Sequence, residues 1–161
     1  MTQEDVLSMI EGAFHNAKRP EHFTIYDHCE ECADHDKVLL SRDRTTLSLA
    51  DVSNPAWNPI DFLTPEGFLY YFPALAKLAL SNGGAEFLSM FVPFHLYSAL
   101  KNESIRHPHR WLSALSQEQC NAILIFARFV ASHKRDRVVA QAVNPEELDR
   151  AVAFWEAECN K

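Results

Sequence analysis

Glycine is scarce in this chain, with four residues in 161, where ordinary usage is roughly 7%. Glycine-rich phosphate loops therefore have no counterpart here. The nucleophile elbow G-x-S-x-G and the zinc-protease signature H-E-x-x-H are missing as well. Long apolar runs are also lacking. The greasiest is GFLYYFPALA, 67–76, and Lys77 interrupts it before it reaches the roughly 18 residues of a membrane span. There is no excess of basic residues: the net charge is −7, with acidic residues spread from Glu4 to Glu158. Nucleic acids need a positive footprint, so that class of partner is set aside. The one basic cluster, HKRDR at 133–137, suits the carbonyl end of a helix. No basic segment leads into an apolar one at the N-terminus, so no secretory leader is expected. These absences place the protein in the cytoplasm, away from membranes. There its four cysteines are expected to stay reduced rather than form a disulfide framework.

What is present is the composition of a globular domain: 47% hydrophobic and 23% charged residues. The length suits one domain over 1–161. Eleven phenylalanines, four tyrosines and three tryptophans predict an aromatic core. Helix signals recur. Thr2 and Asp5 form a capping box ahead of Val6, Ile10 and Phe14, which share one face. Pro20 closes that segment. Asp27 is the expected cap of a second helix reaching about Leu40. The stretch 41–62 is irregular, with short helical turns around 46–52 and Trp57 packing it onto the core.

Thr64 caps the next helix, with Pro65 at its first position. Apolar residues surround that helix, and Pro73 inside it predicts a kink or break. After the turn SNGG comes AEFLSMFVPFHLYSAL, with Phe87, Phe91, Phe94 and Tyr97 on one side and Pro93 as an interruption. The link KNESIRHPHR precedes a short helical segment from Pro108 through Trp111 to Leu115. Ser116 and Gln119 box the start of a helix carrying Cys120, Ile123, Ile125, Phe126, Phe129 and Val130. A last helix starts at Asn144 and runs through Leu148, Val152 and Trp155. The expectation is an all-α single compact domain of six or seven helices around a central aromatic helical hairpin.

The order CEEC, NPAWNP, FLTPEGFLYYFPAL, an aromatic helix and LSQEQCNAILIFARFV resembles a family of short bacterial proteins known only as a domain of unknown function. The resemblance runs from the first helix to the RFV segment and is most specific between Leu63 and Leu75. It implies an intact single-domain member of that group. It carries over no catalytic residue and no cofactor.

The chemistry-bearing stretch is HCEECADH, 28–35, which admits three readings. As a metal site, Cys29 and Cys32 supply two thiolates three apart, half of a tetrahedral set. On a continuous helix His28, Cys32 and His35 would share a face, so His28, Cys29, Cys32 and His35 are the candidate ligands. His22 from the preceding loop is an addition to that set, and zinc is the ion that mixed sulfur and nitrogen ligands favour. No second C-x-x-C follows at finger spacing. As a redox pair, the motif lacks a βαβ setting, and Asp27, Glu30 and Glu31 oppose a low thiol pKa. As plain packing, both cysteines are small apolar groups facing the core.

The remaining histidines suit bland roles. His107 and His109 flank Pro108 in a polar link, His95 lies among aromatics, and His15 and His133 lie near helix ends. The hairpin aromatics Tyr70, Tyr71, Phe72, Phe91, Phe94 and Tyr97 can wall a small-molecule pocket or form the core. The leading functional expectation is a non-enzymatic interaction or accessory module with an unknown protein partner or with itself. A zinc-binding protein is the first alternative and a ligand pocket in the aromatic hairpin the second.

Overall fold

The computed structural model describes residues 1–101 and 112–161. Among these residues the fold is all-helical, with no strand. None of their helices is long and apolar enough to cross a membrane. The helix α1, Gln3–Phe14, carries the capping box read from Thr2 and Asp5 and buries Val6, Ile10 and Phe14. It stops at Phe14, short of Pro20. The helix α2, Glu30–Leu40, starts later than Asp27 would place it, because Cys29 is its N-cap. A one-turn helix α3, Leu49–Val52, and a 3₁₀ turn at Pro59–Phe62 lie in the irregular stretch.

The central hairpin consists of α4, Pro65–Leu80, and α5, Ala85–Met90. Thr64 caps α4, with Pro65 in its first turn. The helix continues through Pro73 rather than ending there. Arg44 reaches its backbone near that proline: Nε donates to the Tyr70 carbonyl at 2.6 Å, and Nη2 donates to the Phe14 carbonyl at 2.9 Å. One guanidinium thereby ties the end of α1 to the middle of α4. Beyond α5 the backbone winds as a π-helix over Phe91–Ser98, which contains Pro93, and then as the short α6, Ala99–Lys101. A π-helix bonds each N–H to a carbonyl five residues back. The rephasing turns Phe94 outward, 38% exposed, while Phe87 and Phe91 stay buried. The expected four-ring side therefore loses its third member.

The long α7, Gln117–His133, begins at the Ser116–Gln119 capping box. It is followed by α8, Arg135–Val139, and α9, Glu146–Cys159. Phe72, Phe91 and Phe126 meet with ring centroids 6.0–6.2 Å apart. Trp155 donates its indole N–H to the Leu96 carbonyl at 2.7 Å, locking α9 onto the π-helical turn. Apolar residues from α1, α2, α4, α5, α7, α8 and α9 join one core. The 3₁₀ turn Leu112–Ala114 is the end of the segment expected after Pro108. His107, His109, Pro108 and Trp111 lie outside the described residues.

One expectation fails outright. The four cysteines are not all free thiols: Cys120 at the start of α7 is bonded to Cys159 at the end of α9. The packing of those two helices brings together sulfurs 39 residues apart. Nothing in their spacing reveals the pairing. Cys29 and Cys32 remain as thiols.

Candidate metal centre at the start of helix α2

The site is built where a loop becomes a helix. Cys29 has extended backbone angles, φ −160° and ψ 167°, and its sulfur accepts the N–H of Cys32 at 3.4 Å. It therefore does what a serine or aspartate does at an N-cap. Cys32, the third residue of the helix, turns its own sulfur to within 3.1 Å of that of Cys29. His28 precedes the cap, with Nδ1 3.7 Å from the Cys32 sulfur. The His28, Cys29 and Cys32 donor atoms all lie within 4.8 Å of one another, a group that can hold a metal ion. His28 and Cys29 are exposed, whereas Cys32 is only 1% exposed.

The two sulfurs differ in acidity. The Cys29 thiol is lowered to about 7, first by the hydrogen bond from the Cys32 thiol, then by the Cys32 backbone N–H and by His28. The Cys32 thiol is raised to about 11, first by burial and then by the adjoining Cys29, with Glu31 adding to the rise. Of the three carboxylates that the sequence sets against a low thiol pKa, Glu31 acts on Cys32, while hydrogen bonds decide Cys29. In metal-free protein, alkylation of Cys29 by iodoacetamide is expected to rise with pH through a midpoint near 7, because only the thiolate reacts. Cys32 is expected to stay unmodified over that range. A midpoint at the ordinary thiol value of about 8.5, read by peptide mass spectrometry, would contradict this arrangement.

His35 does not join the group. The helix begins at Glu30, so His28 and Cys29 lie off its end and the expected shared face does not form. His35 is buried, 1% exposed, between Trp57 and Phe62, with ring centroids 4.5 and 4.6 Å away. Its Nε2 lies 3.7 Å from Glu31. Burial lowers its pKa against the pull of Glu31. Trp57 does cover this part of the core, but from a half-open position, 43% exposed.

His22 is likewise outside the group, but it belongs to the support. Asp36, 3% exposed, receives His22 Nδ1 at 2.7 Å, the Phe23 N–H at 2.7 Å and the Thr24 N–H at 3.2 Å. The Thr24 hydroxyl donates to the Cys32 carbonyl at 2.7 Å. The Phe23 carbonyl in turn accepts the Thr64 N–H at 2.8 Å. A Cβ on Gly67 would lie 2.9 Å from that carbonyl, so only glycine admits this approach of loop and α4. The loop leading into His28 is thus clamped from both sides. The sequence reading missed Asp36. The available signal was a carboxylate four residues after Cys32, on the face of α2 that also holds Leu39.

A helical fold with a thiol–imidazole group at a helix start defines a small all-α protein carrying a candidate metal centre. The chain belongs to a family of unknown function, DUF6714, whose model matches residues 2–159. No curated protein and no solved structure is matched by it.

Proposed function

We propose that the protein binds a zinc ion through the His28 imidazole and the sulfurs of Cys29 and Cys32. The observation that carries this reading is the clustering of three donor atoms within 4.8 Å. Zinc–sulfur bonds of roughly 2.3 Å at tetrahedral angles set two sulfurs about 3.8 Å apart and a sulfur and a nitrogen slightly closer. The 3.7 Å between Cys32 Sγ and His28 Nδ1 already suits a shared ion. The 3.1 Å between sulfurs must widen by under an ångström, a side-chain adjustment that the exposed Cys29 can make. Mixed thiolate and imidazole donors favour zinc over magnesium, calcium or manganese. Two thiolates also balance the charge of a divalent cation. Three protein donors, two of them exposed, leave a fourth position for water or a partner's side chain. This reading is preferred to a purely accessory module because it rests on a geometry, whereas that one rests on composition.

The test is elemental analysis of untagged protein reconstituted under reducing conditions. One zinc per chain is expected, lost in Cys32→Ser and retained in His35→Ala. Cobalt substitution is expected to give a sulfur-to-cobalt charge-transfer band. Zinc content no higher than that of Cys32→Ser would remove the proposal.

A further inference from the structure

We infer that, free of metal, the Cys29–Cys32 pair is a dithiol reductant of exposed disulfide bonds, with Cys29 as the attacking sulfur and Cys32 as the resolving one. The inference uses the same residues as the zinc reading but does not depend on an ion binding there.

Three observations carry it. Accessibility comes first: Cys29 is exposed and Cys32 is buried. An exchange reaction needs one sulfur that a substrate can reach and one behind it that only the first can reach. Proximity comes second. The sulfurs are 3.1 Å apart, against about 2.05 Å in a disulfide, so closure takes about an ångström of approach. The extended backbone at the cap produces this proximity, by folding the Cys29 side chain back over the first turn of α2. Exclusivity comes third. Cys120 and Cys159 are bonded to each other, which leaves Cys29 and Cys32 as each other's partners. From the sequence, two things oppose a redox role: the missing βαβ setting and the three nearby carboxylates Asp27, Glu30 and Glu31. The structure shows that the helix start itself places the sulfurs.

The chemistry balances in two exchanges. The Cys29 sulfur attacks one sulfur of the substrate disulfide. The substrate S–S bond breaks, a mixed disulfide forms on Cys29, and the departing sulfur leaves as a thiol with the proton that Cys29 gave up. The Cys32 sulfur then attacks the Cys29 sulfur. The Cys29–Cys32 bond forms, and the second substrate thiol leaves with the proton from Cys32. Two electrons pass from the protein to the substrate.

The experiment uses the whole 161-residue chain, chelator-treated, with Cys29 and Cys32 as thiols and the Cys120–Cys159 bond intact, mixed with glutathione disulfide, with a parallel arm using insulin as a protein disulfide. The expected result is two glutathione molecules released per chain. The peptide spanning residues 29–32 should lose two hydrogens, and the Cys120–Cys159 bond should be unchanged. Cys32→Ser is expected to stop halfway, with one glutathione released and the other retained on Cys29. Cys29→Ser is expected to lose the reaction. Reduction of either probe by the wild type supports the inference and names the source of the disulfide. Reduction of neither overturns it, as does a wild-type adduct on Cys29 that Cys32 never resolves. Zinc binding without disulfide reduction would defeat this inference alone, and reduction without zinc binding would defeat only the zinc reading.

Discussion

Removing the Cys120–Cys159 disulfide is expected to destabilise the protein by about 4 kcal/mol. The bond closes a loop of 39 residues, and restricting a loop of that length in the unfolded chain is worth roughly that much on the chain-entropy account. In a domain of this size each kcal/mol moves the melting temperature by about 2–4 °C, so a fall of roughly 8–16 °C is expected. The double variant Cys120→Ser/Cys159→Ser is the appropriate test, because it removes this bond without adding new thiols to those of Cys29 and Cys32. The fold itself is expected to persist. Trp155, buried in α9, still donates to Leu96, Arg128 still pairs with Glu156 at 2.7 Å, and Gln117 still donates to the Cys159 carbonyl at 2.7 Å. Thermal denaturation followed by circular dichroism measures the effect. A change of under about 2 °C would mean that the seam between α7 and α9 is held by packing alone.

Asp36→Ala is expected to cost about 3–5 kcal/mol and to weaken the proposed zinc binding. The substitution leaves the buried N–H groups of Phe23 and Thr24 without their acceptor. Unsatisfied buried donors cost about 1–3 kcal/mol each, and a charged acceptor strengthens the bonds that are lost. His22 also loses its partner, but it is exposed enough to find water. The loop freed in this way leads directly to His28, so the donor group loses its support. Residues that orient ligands from behind commonly change metal affinity by about 10–100-fold, and a fall in that range is expected here. Asp36→Asn keeps one acceptor oxygen and is expected to fall between the wild type and alanine in both measurements. Urea denaturation and zinc titration of the same preparations separate the two effects. Unchanged stability in Asp36→Ala would show that the clamp contributes nothing to folding.

Legibility followed the range of each interaction. Thr2 with Asp5, Thr64 with Pro65 and Ser116 with Gln119 were readable because a cap is settled by side chains three residues from its own backbone. The all-helical class was readable because apolar spacing along α1 and α7 repeats over several turns. The Cys29–Cys32 pair stood out for the same reason of short range. Its cap geometry did not, because Asp27 and Cys29 both precede the helix and only the clamp on the loop chooses between them. His35 was misplaced in the candidate donor group because its burial depends on Trp57 and Phe62, more than 20 residues away.

Segment boundaries, one apolar face per helix and the presence of a sulfur-rich helix start thus belong to neighbouring residues, whose spacing along the backbone is set by covalent geometry. The Cys120–Cys159 bond, the π-helical rephasing that exposes Phe94, the Asp36 clamp and the inequality of the two remaining thiols belong to the assembled fold. Each depends on groups brought together from distant parts of the chain, and burial and distance, which set thiol reactivity and metal reach, have no value until those parts have met.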